Sequence, residues 1–256
     1  MLKNASPPPS IKVEPEIQFD ALSLENLADI KSWLIEAGGY VTKENRVEDS
    51  PYFDTKNNRL IREGIECRLK RKKGIWRTDL KTSVKTTDRV VLPDEYGVVW
   101  RNELCSFTTG EQPFMEEFAA MEALKPVQNR VSRIFEKQLI EKFRARLSKT
   151  KIERKISGGV IEYSLQHGHM ITPDGTRQSD PLHILEIELR DGDDDALYTA
   201  ISEFRNAFPT LNLLEKRKVM IGFELITPDM TLKAQRKFEK LQSRIQSHAT
   251  CDLAAA

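Results

Sequence analysis

Residues 67–81 of this chain read Cys67-Arg68-Leu69-Lys70-Arg71-Lys72-Lys73-Gly74-Ile75-Trp76-Arg77-Thr78-Asp79-Leu80-Lys81. The pattern predicts two β-strands joined by a turn at Lys73-Gly74, because apolar and charged residues alternate on both sides of it. Successive side chains of a strand point to opposite faces, so the hairpin has one apolar and one cationic face. Two interpretations follow. Either the charges face water, as in most antiparallel sheets, or they line an interior that holds a polyanion.

Composition limits the classes of protein to consider. The 256 residues include 40 basic and 39 acidic side chains, for a formal net charge of +1. A bulk positive field for coating nucleic acid is therefore absent. Three widely spaced cysteines predict a reducing compartment and neither a disulfide framework nor a zinc site. No apolar run is long enough to cross a bilayer and no signal peptide is evident, so we expect a soluble cytoplasmic protein without membrane contact.

Hydrophobic periodicity divides the rest of the chain into an α+β pattern. Residues 1–10 form a proline-rich flexible leader, residues 11–227 the main domain, and residues 228–256 a charged helix with a frayed tail. Helices are predicted at 23–37, 112–124, 195–207 and 228–247. Besides the hairpin, strands are predicted at 11–19, 40–47, 50–54, 98–107, 127–136, 138–148, 150–156, 160–166, 184–190 and 214–225.

Charged residues at alternating strand positions form the constellation that suggests chemistry. The carboxylates stand at Glu14, Glu16, Glu103, Glu162, Glu186 and Glu188, and the cations at Arg68, Lys70, Lys81, Arg101, Arg144, Arg146 and Lys218. Outward-facing charge is the ordinary explanation for any single pair. If the charges instead point inward, the cavity must be wet and must expect an anion, since burying so many unpaired cations is prohibitive. Carboxylates beside cations suit Mg²⁺ and the phosphates of a triphosphate.

An ordered set of motifs resembles the CYTH, or triphosphate tunnel metalloenzyme, family over residues 13–225. It comprises Glu14-x-Glu16, Tyr52-Phe53-Asp54-Thr55, Arg68-Leu69-Lys70, Leu80-Lys81, Glu186-Ile187-Glu188-Leu189 and Lys218 followed by Gly222-Phe223. The resemblance implies a closed antiparallel eight-stranded β-barrel that forms a tunnel, with helices packed on the outside. It also implies Mg²⁺ or Mn²⁺ as the cofactor and a triphosphate held by basic residues.

The resemblance assigns roles residue by residue. Glu14, Glu16, Glu186 and Glu188 are expected to hold the metal, with Glu14, Glu16 and Glu188 also catalytic. The substrate would be held by Arg68, Lys70, Lys81, Arg101, Arg144, Arg146 and Lys218. The chain departs from the family pattern at Gln18, where a lysine is usual, at Gln166, where an aspartate is usual, and at Pro15 inside the first motif.

The leading functional hypothesis is metal-dependent hydrolysis of a triphosphate, with inorganic triphosphate as the first candidate substrate. Gln18 and Gln166 motivate an alternative, a tunnel that binds polyphosphate or nucleotide without hydrolysing it. A class IV-type adenylyl cyclase and a thiamine triphosphatase are further alternatives. The expected partner is a small-molecule triphosphate or nucleoside triphosphate and not nucleic acid, and a homodimer is an allowed assembly.

Overall fold

A computed structural model describes residues 10–13, 16–62, 66–72, 75–81, 85–86, 91–92, 94–100 and 138–227. Its first half contains β1 (Ser10–Val13), β2 (Glu16–Asp20), α1 (Leu24–Glu36), β3 (Tyr40–Thr55), α2 (Arg59–Arg62), β4 (Glu66–Lys72), β5 (Ile75–Lys81), β6 (Lys85–Thr86), β7 (Val91–Leu92) and β8 (Asp94–Trp100). Its second half contains β9 (Leu139–Ile156), β10 (Gly159–Ile171), β11 (Leu182–Gly192), α3 (Asp194–Ala207) and α4 (Lys218–Ile226). None of the helices in these ranges is both long and apolar enough to cross a membrane.

The main sheet is antiparallel and has nine strands in the order β1-β8-β5-β4-β3-β9-β10-β11-β2, while β6 and β7 pair separately. The α+β class is confirmed, but the predicted closed eight-stranded barrel is wrong. Within the described residues the sheet ends at β1 and β2, and no ladder joins these two strands. The described parts of the predicted strand 11–19 are two strands at opposite ends of this order: β1 pairs with β8, and β2 pairs with β11.

The sheet is nevertheless strongly curved. Nine strands spaced about 4.8 Å apart would separate the end strands of a flat sheet by about 38 Å. Val13 and Glu16, on the two end strands, are three residues apart in the chain, which limits their Cα separation to about 11 Å. The two ends of the sheet therefore approach each other at this point, and one face of the sheet is concave.

The convex face of β2, β9, β10 and β11 packs against α1 and α3. Its buried side chains include Phe19, Ile152, Ile161, Tyr163, Leu165, Leu185 and Ile187, which meet Leu27, Ile30 and Leu34 of α1 and Leu197 and Phe204 of α3. Both helices begin with a side-chain cap: Ser23 Oγ accepts from Asn26 N, and Asp193 Oδ1 accepts from Ala196 N. The predicted helices 23–37 and 195–207 are thus confirmed.

Three other predictions about secondary structure are wrong or incomplete. The predicted strands 138–148 and 150–156 are one strand, β9, and the predicted strands 40–47 and 50–54 are one strand, β3. The predicted strand 214–225 is wrong, because most of it lies in helix α4. The apolar run that begins at Val219 is too short to distinguish a strand from a buried helix by its pattern. The predicted helices 112–124 and 228–247 and the predicted strand 127–136 lie outside the described residues.

Candidate functional site

Strand register aligns the side chains opposite the α1/α3 layer into rows. The first row is Glu16, Glu188, Glu162 and Glu153, on β2, β11, β10 and β9 in turn. The second row is Gln18, Glu186, Ser164 and Lys151 on the same four strands. The third contains Ile184, Gln166 and Lys149. Facing residues of antiparallel strands have Cα atoms about 4.5–5.5 Å apart, so the first row concentrates four carboxylates. We call this side of the sheet the charged face.

Helix α4 lies on the charged face and shows that this face is the concave one. Arg217, immediately before α4, forms an ion pair with Glu66 of β4. The next residue, Lys218, donates from Nζ to Glu186 Oε2 of β11 at 2.8 Å. Strands β4 and β11 lie four positions apart in the sheet, so the sheet wraps around the start of α4.

A polar pocket opens beside α4. It is lined by Glu48, Ser50, Tyr52, Arg68, Lys70, Ala145, Leu147, Lys149 and Lys218. Four of these nine residues are basic. Lys218 donates to Gln166 Oε1 at 3.1 Å as well as to Glu186, and Lys149 pairs with Glu48 at 2.9 Å. Lys149 and Lys218 are therefore held by carboxylates and an amide of the charged face.

The pocket perturbs the acidity of its own groups. Burial and the neighbouring cation Lys218 lower the pKa of Lys149 to about 8. Burial raises the pKa of Tyr52, but Arg68 and Lys218 outweigh it, so the pKa is lowered from its usual value. Lys149 holds the pKa of Glu48 at about 2 against the opposing effect of burial. Cations thus repel one another here and stabilise negative charge, which is the electrostatic condition for binding an anion.

The carboxylate row is partly neutralised by basic side chains. Arg190 Nη1 lies 2.6 Å from Glu188 Oε1, and its Nε lies 3.8 Å from Glu162 Oε2. Lys151 forms an ion pair with Glu162, whose side chain is 4% exposed. These contacts offset the repulsion that facing carboxylates would otherwise produce.

The donors available to a divalent metal are the oxygens of this row. No group of three or more histidine, cysteine, aspartate or glutamate side chains within the described ranges has the geometry of a metal site. Mg²⁺, however, commonly uses only one or two protein carboxylates and completes its shell with water and substrate phosphates. The facing pair Glu16 and Glu188 fits that requirement.

The structure brings together some of the residues predicted for the site. Arg68, Lys70 and Lys218 line one pocket, and Glu186 contacts Lys218. Glu16 and Glu188 lie in the carboxylate row. Glu14 and Arg101 lie outside the described residues. Lys81 lies in β5 opposite Glu66, and only its backbone position is described.

Arg144 and Arg146 are not in this group. They lie on the opposite face of β9 from Lys149 and Lys151, because they differ from the lysines by an odd number of residues. Arg144 makes two hydrogen bonds to Glu141, at 2.8 and 2.9 Å, and Arg146 makes one to Asp49 at 3.0 Å. The Arg146 side chain is 56% exposed.

The residues that sequence reasoning missed are Lys149 and Lys151. Their alternation, Lys149-x-Lys151, was a usable signal, but the predicted break between strands at this point obscured it. One register step moves every side chain to the other face, so Arg144 and Arg146 lie on the side of β9 that is turned away from the pocket.

The two glutamines that depart from the family pattern both belong to the charged-face network. Gln18 Nε2 donates to Glu186 Oε2 at 2.8 Å, and Gln166 Nε2 donates to Ser164 Oγ at 3.1 Å while its Oε1 accepts from Lys218. Each amide therefore makes hydrogen bonds without adding charge.

Comparison with known proteins gives a likeness of fold. No family model and no curated protein matches the chain. Among solved structures, a candidate adenylyl cyclase from Hippeastrum, HpAC1, described as having a dominant triphosphatase activity, matches with a TM-score of 0.56 at 10% identity and covers 83% of this chain and 96% of its own. A candidate adenylate cyclase from Bacillus halodurans matches with a TM-score of 0.53 at 16% identity, covering 82% of this chain and 96% of its own. This chain shares the fold of these proteins.

Proposed function

We propose that the protein binds a triphosphate on the charged face and hydrolyses it with Mg²⁺ or Mn²⁺, with inorganic triphosphate as the first candidate substrate. The observation that carries the proposal is the pocket in which Arg68, Lys70, Lys149 and Lys218 converge. The carboxylate row lies two residues further along the strands than Glu186, and the pocket residue Lys149 lies in the row on the other side of Glu186. Cations and metal-binding carboxylates on one concave surface are what phosphoryl transfer from a triphosphate requires. The fold shared with HpAC1, itself described as a triphosphatase, supports the same proposal.

In this proposal the basic residues bind the substrate. The guanidinium of Arg68 matches phosphate oxygens as a planar fork, while Lys70, Lys149 and Lys218 supply point charges. Lys149 and Lys218 form ion pairs with Glu48 and Glu186. An ammonium group has three N–H donors, so both lysines could donate to phosphate oxygens and keep their contacts to Glu48 and Glu186, which leaves neither carboxylate unpaired.

The carboxylates supply the remaining functions. Glu16 and Glu188, with Glu14 and Glu186 as predicted from the family, would hold the divalent metal, which neutralises charge on the transferring phosphoryl group when bound. A glutamate of the row would orient the attacking water, and Glu188 is favoured because Arg190 fixes the position of its carboxylate. Substrate contacts by Lys81 and Arg101 stay predictions from the family resemblance, whereas Arg144 and Arg146, on the opposite face of β9, are not part of this proposal.

The test is phosphate release from inorganic triphosphate, ATP and thiamine triphosphate, each with Mg²⁺ and with Mn²⁺. Arg68→Ala should weaken substrate binding, and Glu188→Gln should lower kcat. Lys155→Ala, an exposed change on β9 away from the pocket, is the matched control and should have no effect. Absence of phosphate release from every substrate with either metal would contradict the hydrolytic proposal.

Binding without hydrolysis is the second candidate, because Gln18 and Gln166 replace a cation and a carboxylate inside the hydrogen-bond network. A neutral amide can position Glu186 or Lys218, but it cannot act as a base or ligate Mg²⁺ as strongly as a carboxylate. Tight triphosphate binding in calorimetry without phosphate release would favour this candidate. Formation of cyclic AMP from ATP would instead favour a cyclase.

A further inference from the structure

Helix α4 is seated on the charged face by an apolar contact. Val219, Met220 and Phe223 are buried on the side that faces the sheet. They pack against side chains of β3, β9 and β10, which are Tyr52, Phe143, Ala145, Leu147 and Met170. The helix is only nine residues long, so its position depends on this contact more than on its own stability.

Gly222 is the point of closest approach in this contact. A Cβ atom at Gly222 would lie 2.1 Å from Cε2 of Phe143, 2.3 Å from Cδ2 and 2.4 Å from Cζ. These distances are far below van der Waals contact, which is about 3.5–4.0 Å for carbon atoms. Even a methyl group at position 222 therefore requires the ring or the helix to move.

The ring of Phe143 has little freedom to move. It is fully buried and stacks on Tyr52 with centroids 4.8 Å apart and an interplanar angle of 20°. Phe223 meets it edge to face at 5.3 Å. A close-packed ring with neighbours on both sides transmits strain instead of absorbing it, so the helix is the element that would shift.

The part of α4 that would shift carries the pocket's lysine. Lys218 is one helical turn from Gly222 and makes its contacts to Glu186 and Gln166 from the first turn of the helix. Tyr52, which stacks on Phe143, lines the same pocket. The Gly222–Phe143 contact is thus linked to two groups of the pocket, to Lys218 through one turn of α4 and to Tyr52 through the stacked rings.

We propose that Gly222 is a positioning residue for the anion pocket: by having no side chain, it lets α4 seat against Phe143 closely enough for Lys218 to reach its place beside Glu186 and Gln166. The proposal rests on the triphosphate site described above and adds the element that sets its geometry. Helix propensity alone predicts that Gly222→Ala stabilises α4, because alanine favours a helix relative to glycine. The positioning role predicts instead that the substitution displaces α4 and weakens anion binding.

The test compares Gly222→Ala with the wild type in two double-mutant cycles. Tripolyphosphate binding is measured by calorimetry with Mg²⁺, at a temperature where circular dichroism shows every variant folded. Gly222→Ala should raise the Kd at least about tenfold, the effect of losing one charge-assisted hydrogen bond. In the Lys218→Ala background the same change should have little further effect, because the positioned group is already gone. Glu215→Ala, an exposed change shortly before α4, is the control.

The second cycle tests whether a smaller side chain at Phe143 restores tripolyphosphate binding in Gly222→Ala. Phe143→Leu removes the atoms that an alanine methyl at position 222 would meet, so Gly222→Ala combined with Phe143→Leu should bind more tightly than Gly222→Ala alone. If both substitutions only damaged packing, their effects would add. Wild-type affinity in folded Gly222→Ala, or an undiminished effect in the Lys218→Ala background, would overturn the proposal.

Failure of the proposed function would be recognised separately. If the wild type does not bind tripolyphosphate, the triphosphate proposal is wrong. The packing of α4 against the sheet is then measured by hydrogen exchange of the α4 amides. Faster exchange over 218–226 in Gly222→Ala, reversed by Phe143→Leu, would support the positioning role without any ligand. Unchanged exchange in Gly222→Ala would contradict it.

Discussion

The two faces of strand β9 carry the same kind of residue in opposite environments. On the charged face, Lys149 and Lys151 are mostly buried and lie against glutamates of β3 and β10. On the other face, Arg144 and Arg146 are more exposed and pair with Glu141 and Asp49. Exposed ion pairs contribute about 0–1 kcal/mol, whereas removing one member of a buried pair leaves a costly unpaired charge. The comparison shows that position relative to the fold, and not residue type, distinguishes a candidate site from ordinary surface charge.

The largest difference between the two faces should be in stability. Glu162→Ala removes the partner of Lys151 and a neighbour of Arg190 on the charged face, so it should lower the free energy of unfolding by about 3 kcal/mol. Urea denaturation measures the change. Asp49→Ala, which removes the partner of Arg146 on the other face, is the comparison and should cost under about 1 kcal/mol. Equal losses in the two variants would remove the distinction between the faces.

Ligand binding should separate the faces next. Lys149→Ala should weaken tripolyphosphate binding about tenfold or more, because a charge-assisted contact is lost from the pocket. Arg146→Ala should change the Kd by less than about twofold, an effect below 0.5 kcal/mol. Calorimetry of both variants beside the wild type gives the answer. A stronger effect for Arg146→Ala would restore the role that the family resemblance assigns to it.

The acidity of Lys149 gives a pH test with opposite signs for binding and stability. Its pKa in the folded protein is about 8, below the usual 10.5. Anion binding needs the charged form, so tripolyphosphate affinity should fall as the pH rises through about 8. The unfolded chain binds more protons than the folded one between these two values, so the contribution of Lys149 to stability should rise with pH from about 8 to 10.5.

Lys149→Met is the control for this test, because it removes the titrating group and keeps the aliphatic stem. It should flatten the Lys149 part of both pH profiles, measured by calorimetry and by urea denaturation. Binding profiles of the wild type and Lys149→Met with the same slope near pH 8 would assign the titration to another group.

The smallest effect is expected from the exposed hydrogen bond between Tyr40 and Glu153. Tyr40 Oη donates to Glu153 Oε2 at 2.7 Å at the β9 end of the carboxylate row. Tyr40→Phe should change the melting temperature by no more than about 2 °C, because an exposed hydrogen bond contributes little beyond what water replaces. A decrease in the melting temperature much larger than about 2 °C would mean that this hydrogen bond is shielded from water.

The sequence allowed a good prediction where alternation was regular. The hairpin 67–81 forms β4 and β5, and residue spacing alone put Arg68 with Lys70, and Glu186 with Glu188, on common faces. The prediction failed where the pattern carried no orientation signal. The apolar run around Val219 fits a strand or a buried helix, and the face of β9 depends on pairing with β3 and β10, which lie far away in the sequence.

The architecture and the site required long-range information for the same reason. The family resemblance implied a closed eight-stranded barrel, where the described residues form a curved nine-stranded sheet. The separate pairing of β1 with β8 and of β2 with β11 cannot be read from residues 10–20. The ring of Phe143 beneath Gly222 joins residues 79 positions apart. Such contacts exist only once the sheet has wrapped around α4.

The most direct test of the triphosphate site is a crystal structure of the protein with bound tripolyphosphate and Mg²⁺. We expect phosphate oxygens within hydrogen-bond distance of Arg68, Lys149 and Lys218 on the charged face, with the metal between the substrate and the Glu16–Glu188 pair. Tripolyphosphate bound at Arg144 and Arg146 on the opposite face, with the pocket beside α4 filled only by water, would contradict the account.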